Sequence, residues 1–160
     1  MCPALDPPTS SDPPVIDVQL VEGPVPMIAI DAWPAASGAE SIFIGRTRGE
    51  DHPEHGALRL LRYEAHPTMA LQELTAVVHR ALEDTPAQHV VVRHAVGDVP
   101  VGAASVLVQV ACGHRAESFV LCRRIIDDLK ATVPIWKCEV WADGTSWADG
   151  TPVSPSDTSS

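Results

Sequence analysis

The chain has 160 residues, enough for one domain with a buried core, and its 21 acidic against 11 basic residues give a net charge of -10 at pH 7. This acidic balance argues against a nucleic-acid partner, because affinity for phosphate backbones depends on many Lys and Arg contacts. No apolar run approaches the ~20 residues that span a bilayer and no basic-then-apolar signal pattern is visible, so a cytoplasmic protein is expected.

Both ends of the chain are poor in apolar residues. Residues 1–14 contain five prolines among Ser, Thr and Asp, and residues 151–160 are mostly Ser, Thr, Pro and Asp. Such segments bury too little apolar surface to offset the entropy of ordering them. We therefore expect disordered tails at 1–14 and 151–160, on either side of one domain over 15–150.

The first half of the chain alternates between strand patterns and turn residues. Strands are predicted over 15–21, 41–48 and 57–63, with a polar loop at 49–56 between the last two. A short helix is predicted over 27–33, ended by the proline that follows it. The first long helix is predicted from Pro67 to about Asp84, because apolar residues recur at three- and four-residue spacing. They are Leu71, Leu74, Val77, Val78, Ala81 and Leu82.

The second half predicts three more strands and a second helix. Strands over 90–92 and 105–110 are separated by turn-prone residues at 97–102, and a last strand covers 135–141. The helix opens at His114-Arg115, and its predicted apolar face consists of Phe119, Cys122, Ile125, Ile126 and Leu129. The short links between strands favour a mixed or largely antiparallel sheet, so the predicted fold is a single α+β domain with two main helices.

The four cysteines, Cys2, Cys112, Cys122 and Cys138, are widely separated and contain no Cys-x-x-Cys pair. This spacing favours reduced thiols over a disulfide framework or a zinc ribbon. Cys122 and Cys138 are interpreted as small buried residues.

The chain has only two lysines, Lys130 and Lys137, and they flank the point where the second helix gives way to the last strand. The same helix opens at His114-Arg115, so several cationic groups are expected around one cleft. In an acidic protein, a local positive pocket predicts a site for an anionic ligand.

Several motifs occur together in an order that is similar to the large, catalytic subunits of molybdopterin synthase. They are Phe43-x-Gly45-x-x-Arg48, Tyr63-Glu64-Ala65 followed by Met69-Ala70, His94-x-x-Gly97, His114-Arg115, and Asp128-Leu129-Lys130-x-x-x-Pro134-x-Trp136-Lys137. The resemblance covers nearly all of the region between the tails. It implies an α/β-hammerhead-like form of the α+β fold.

The resemblance also implies a sulfurtransferase of molybdenum cofactor biosynthesis that needs no cofactor and no metal of its own. Its substrate would be cyclic pyranopterin monophosphate, which receives two sulfurs to form the molybdopterin dithiolene. The sulfur would come from a small ubiquitin-like subunit whose C-terminal Gly-Gly ends as a thiocarboxylate. Two large subunits would form a central homodimer with one small subunit at each end, a heterotetramer.

The resemblance assigns roles to eight residues. Lys130 is expected to be the main catalytic group, with Lys137 supporting it. The substrate is expected to contact Arg48, His114 and Arg115, and the pocket for the partner's tail is expected to include Phe43, Pro134 and Trp136. Arg suits bidentate contact with phosphate, whereas Lys is a compact charge whose pKa shifts readily on burial.

Two alternatives remain open at this point. The chain has Ala95, Ala103 and Ala148 where the family commonly has basic or acidic residues, which leaves room for a divergent scaffold that binds the small subunit without turnover. The second alternative is a metal-binding module built on His52-x-x-His55 among acidic residues, with Cys112-x-His114 as further ligands.

Overall fold

The computed structural model describes residues 12–148, which form two helices and eight strands. The strands are β1 (Val15–Glu22), β2 (Ala39–Arg46), β3 (Asp51–His52), β4 (Gly56–Ala65), β5 (His89–Pro100), β6 (Ala104–Cys112), β7 (Ile135–Trp141) and β8 (Gly144–Trp147). Helix α1 (Pro67–Asp84) connects β4 to β5, and α2 (Arg115–Thr132) connects β6 to β7. The predicted tails at 1–14 and 151–160 fall almost entirely outside the described residues and stay a prediction.

The strands form one mixed sheet in the order β2-β6-β5-β4-β7-β8, with β1 beside β5 and β3 beside β4. The β1–β5 pair is parallel, and the remaining described pairs are antiparallel. Strand β5 joins the two parts of the sheet, because its first two thirds pair with β1 and β6 and its end pairs with β4. The predicted α+β fold with two main helices is confirmed.

Gly97 lies where β5 changes partners. The turn predicted over 97–102 is wrong in extent, because β5 continues to Pro100 and the chain turns only at 101–103. Gly97 has a φ of 80°, a backbone conformation that costs glycine little because it has no Cβ. The strand therefore continues through this position without ending.

Both helices pack on one face of the sheet over the larger hydrophobic core. The predicted bounds of α1 are confirmed, and Leu74, Val77, Val78 and Ala81 are buried as expected, although Leu71 is exposed. No helix within residues 12–148 is both long and apolar enough to cross a membrane.

The predicted buried face of α2 is correct except at Phe119, which is 68% exposed. Besides the predicted residues, the helix buries Ser118 and Leu121 against the sheet. Ser118 Oγ accepts a hydrogen bond from Ser41 Oγ at 2.8 Å. Consecutive residues are rotated by about 100° around a helix, so the burial of Ser118 turns the neighbouring Phe119 away from the buried face.

The helix predicted over 27–33 does not form, because residues 25–38 cross the sheet as irregular chain. Pro26 and Pro34 remove backbone donors on either side of the segment. Other contacts hold the segment: Val25 N donates to the Ala104 carbonyl at 2.9 Å, and the Trp33 side chain donates through Nε1 to the Ser37 carbonyl at 3.0 Å.

The three described cysteines are free and buried. Burial raises the pKa of Cys112 to about 11 and that of Cys122 to about 11, so both thiols stay protonated near neutral pH. The prediction that Cys122 and Cys138 are small buried residues is confirmed, whereas Cys2 lies outside the described residues.

An ion pair between buried Arg93 and partly exposed Asp17 joins β1 to β5 on the face of the sheet away from the helices. The Arg93 side chain is 6% exposed, and its guanidinium donates to the Asp17 carboxylate and, at 2.8 Å, to the Asp17 carbonyl. The hydrogen bond from Arg93 holds the pKa of Asp17 below its usual value, although partial burial opposes the shift. The unfolded chain therefore takes up this proton more readily than the folded protein.

This pair predicts a specific acid dependence of stability. The contribution of Asp17 is complete above the usual carboxyl pKa of about 4 and is lost as pH falls through the lower folded value. In urea titrations, we expect Asp17→Asn to lower the free energy of unfolding at pH 7 by about 1 kcal/mol, since Asp17 is partly exposed. It should also flatten the fall in stability below about pH 4. Asp143→Asn, at an exposed position, is the control; equal acid slopes in the two variants would contradict this role.

Candidate active site

A cavity of about 410 Å³ opens beside the C-terminal end of α2. It contains both lysines of the chain, Lys130 and Lys137, together with the polar residues Arg46, Tyr63, His94 and Ser105. The remaining lining residues are small or apolar: Gly45, Leu61, Val106, Ile126, Leu129, Val133, Ile135 and Ala148. No Asp or Glu is among the lining residues, so within the described chain the cavity is a basic site on an acidic protein.

The end of α2 and the start of β7 bring the two lysines together. Lys130 lies in the last turn of α2, which ends as Val133 N donates to the Leu129 carbonyl at 3.1 Å. Strand β7 begins two residues later and places Lys137 opposite Tyr63 of β4. Because side chains alternate along a strand, Lys137 and Glu139 project from the same face. The predicted juxtaposition of the two lysines is therefore present in the fold.

Glu139 links Lys137 to a small hydrogen-bond network. The Lys137 Nζ lies 3.9 Å from Glu139 Oε1, while Glu139 Oε2 accepts from Ser146 Oγ at 3.2 Å. Ser146 Oγ in turn accepts from Trp141 Nε1 at 2.9 Å. The network restricts the carboxylate, which attracts the Lys137 ammonium but at this distance makes no direct hydrogen bond with it.

The cavity lining also contains four polar residues for which the sequence predicted no role: Arg46, Tyr63, His94 and Ser105. Tyr63 and His94 meet edge to face with ring centroids 5.2 Å apart. Burial raises the pKa of Tyr63, opposed in part by a hydrogen bond with Ser105. Arg46 adds a third cation to the lining, and its Nη1 donates to the Gly102 carbonyl at 3.0 Å. Tyr63 and His94 do occur in the motifs of the resemblance, which was the available signal for them.

Arg48, predicted to contact the substrate, lies outside the cavity lining. Its side chain is 84% exposed and pairs with Glu50, with Nη2 and Oε1 2.5 Å apart. An exposed pair of this kind contributes little to stability, so the arginine can exchange this partner for another at small cost.

His114 and Arg115 are exposed at the other end of α2. Fifteen residues separate Arg115 from Lys130, which corresponds to about 22 Å at about 1.5 Å per helical residue. Within one chain, this pair and the two lysines therefore do not meet around a single cleft.

The residues predicted for the partner's tail lie next to the cavity lining. Phe43 packs against the core under the helices, and Gly45, two residues further along the same strand, lines the cavity. Pro134 and Trp136 alternate with Val133 and Ile135, which do line it. A Cβ on Gly45 would lie 2.6 Å from Val106 Cγ1, so glycine at this position allows β2 to pack closely against the Val106 side chain.

The loop between β3 and β4 does not assemble the ligand set of the metal-binding alternative. Across residues 12–148, no three His, Cys, Asp or Glu side chains are arranged to hold a metal ion. The rings of His52 and His55 are stacked with centroids 4.7 Å apart, and His52 also packs against Trp141. Cys112 is buried in the core beneath α2, on the part of the sheet that holds β2.

The fold and its cavity define an α+β domain with a basic site suited to an anionic ligand. Residues 23–132 match the family model described as MoaE protein. The molybdopterin synthase catalytic subunit of Oryza sativa subsp. indica is 42% identical over 114 residues, 71% of this chain and 58% of that protein. That of Pyrococcus abyssi is 34% identical over 116 residues, 72% of this chain and 77% of that protein.

Among solved structures, molybdopterin synthase from Staphylococcus aureus matches with a TM-score of 0.72 and 27% identity. The match covers 81% of this chain and 95% of that chain. This chain therefore belongs to the MoaE protein family. It spans about 58% of the length of the rice relative.

Proposed function

We propose that this protein is the catalytic subunit of a molybdopterin synthase. It transfers sulfur from the C-terminal thiocarboxylate of a small ubiquitin-like subunit to cyclic pyranopterin monophosphate. The observation that carries the proposal is the meeting of Lys130 and Lys137 in one cavity, in a chain of this family that has no other lysine.

The charge distribution of the cavity suits this chemistry. A phosphate and a thiocarboxylate are both anions, and they repel in a water-poor site unless fixed cations offset the repulsion. Lys130, Lys137 and Arg46 supply cations, and the lining contains no carboxylate. Lys130 is the main catalytic group of the proposal, and Lys137, with the Glu139 carboxylate 3.9 Å from its Nζ, supports it.

The position of His114 and Arg115 supports the homodimer implied by the family resemblance. Both residues are about 22 Å along α2 from Lys130, too far to share one ligand in the same chain. In a two-fold dimer, the α2 helices of the two copies can lie so that the start of one approaches the end of the other. We place His114 and Arg115 of the second copy at the substrate phosphate, with Arg48 joining them from the exposed loop.

The small subunit completes the assembly. Its Gly-Gly tail carries no side chains and is narrow enough to enter the cavity of about 410 Å³, with Phe43, Pro134 and Trp136 as the proposed tail contacts. One small subunit on each large subunit gives a heterotetramer.

The test is reconstitution from purified parts. The protein is incubated with a thiocarboxylated ubiquitin-like small subunit and cyclic pyranopterin monophosphate, and molybdopterin is assayed. Product is expected, and the same small subunit ending in an ordinary carboxylate is the control that should give none. A stable complex that forms no product would overturn the catalytic proposal in favour of the scaffold alternative.

A further inference from the structure

His94 is a buried titratable residue in the cavity that the proposed function has not used. It lies on β5, is 7% exposed, and shares the cavity lining with Lys130 and Lys137. Its ring nitrogen Nδ1 is 2.8 Å from the carbonyl oxygen of Ala95. The residue is thus held in place by a backbone contact and by an edge-to-face contact with the Tyr63 ring.

The contact with Ala95 determines which ring nitrogen carries the proton. A carbonyl oxygen only accepts hydrogen bonds, so Nδ1 must be the donor and Nε2 is left with the lone pair of the neutral imidazole. Burial lowers the pKa of His94, the Ala95 carbonyl opposes this shift, and the charge of Lys130 lowers the pKa further. The ring is therefore neutral near pH 7, with Nε2 able to accept a proton.

The charged and titratable groups around His94 come from four other elements. Lys130 of α2, Lys137 of β7 and Arg46 of β2 are cations that donate protons or hydrogen bonds but do not accept. Tyr63 of β4 is an acid whose pKa is raised by burial. Among the residues that line the cavity, His94 therefore provides the one side chain that is a free base near neutral pH.

The proposed reaction, on which this inference rests, requires such a base. When the thiocarboxylate sulfur replaces an oxygen substituent on a carbon of the substrate, that oxygen leaves with the electron pair of its bond to carbon. The sulfur is then still attached to the acyl carbon of the small subunit. Release requires water to add to that acyl carbon and the carbon–sulfur bond to break. The products are the carboxylate of the small subunit and a thiolate on the pterin, and two protons are lost.

We infer that His94 accepts the first of these protons, at Nε2, as water attacks the acyl carbon. The second proton leaves from the new carboxylic acid to solvent. Lys130 and Lys137 meanwhile offset the charge that develops on the acyl oxygen and on the leaving sulfur. The imidazolium formed beside Lys130 is disfavoured, so it returns its proton to solvent and the neutral base is restored.

The variant that tests this role is His94→Asn. An Asn side-chain NH₂ occupies roughly the place of Nδ1 and preserves a donor to Ala95, while Nε2 is removed. We expect product formation to fall by on the order of 10²-fold at pH 7, the usual size of a lost general base. Intact-mass measurement should show the small subunit accumulating as a covalent acyl adduct with the pterin. Raising the pH should accelerate the variant, because hydroxide replaces the missing base.

His94→Gln is the second variant, since its amide restores bulk and an acceptor oxygen near Nε2 without a base of suitable pKa. It should also accumulate the adduct. His79→Asn, on the exposed face of α1, is the matched control and should behave as wild type.

The outcomes separate this inference from the proposed function. Slow turnover with no adduct, at melting temperatures equal to wild type, overturns the role of His94 alone. Unchanged turnover in both variants overturns it as well. Wild-type protein that makes no product in the same assay overturns the proposed function, and the role of His94 with it.

Discussion

Lys130→Ala is expected to lower the rate of molybdopterin formation by about 10²–10³-fold, the range found when a charge directed at a transition state is removed. The protein should still fold and still bind the small subunit. Lys130 lines the cavity but is not part of the buried core, so its loss leaves no void and no unpaired buried group. The rate and the affinity for the small subunit should be measured on the same preparation.

A purely structural role for Lys130 predicts a different result. As a cation in the last turn of α2, it would interact with the helix dipole and contribute about 0.3–1 kcal/mol to stability. Arg123→Ala is the matched control, because it removes an exposed cation from the same helix outside the cavity. If Lys130→Ala loses this much stability but turns over as fast as Arg123→Ala, the result contradicts a catalytic role for Lys130.

The helices show how much of the fold local sequence determines. The bounds of α1 follow from the proline at its first position and from apolar residues at helical spacing, and both signals lie within the segment. The segment predicted as a helix over 27–33 also contains apolar residues, but its flanking prolines remove donors and a hydrogen bond from Val25 N to the Ala104 carbonyl ties the residues before it to β6. That contact joins residues far apart in sequence, so no local pattern reveals it.

Gly97 illustrates the same limit in the sheet. A glycine between valine-rich strands predicts a turn, yet here it is the position where β5 leaves β1 and β6 and pairs with β4. Which partner a strand takes depends on the whole topology, whereas turn propensity is local.

The candidate site likewise contains some residues that the sequence predicts and others that only the fold brings together. Lys130 and Lys137 were predictable because they are close in sequence, on either side of one helix end. His94 and Tyr63 reach the cavity from β5 and β4, and only the folded sheet shows that they meet. The separation of Arg115 from Lys130 was implicit in the predicted helix, since a helix of this length necessarily holds its two ends apart.

Mixing two inactive variants should restore activity if each site is shared between two copies. Arg115→Ala and Lys130→Ala should each be strongly impaired alone, because the first removes the proposed phosphate contact and the second the proposed catalytic group. Denatured together and refolded as a mixture, half of the dimers should be mixed, and one of the two sites in each mixed dimer contains both wild-type residues. About one quarter of the wild-type activity is then expected.

The same mixture distinguishes the shared site from a site within one chain. If Arg115 and Lys130 of one chain served the same substrate, every site would lack one of them and mixing would restore nothing. Refolded wild-type protein sets the scale, and a mixture of Lys130→Ala with Lys137→Ala is the matched negative control. Both of those lysines line the cavity of one chain, so no combination of the two variants contains an intact site. Recovery with Arg115→Ala but not with Lys137→Ala requires that the start of α2 in one copy complete the cavity at the end of α2 in the other.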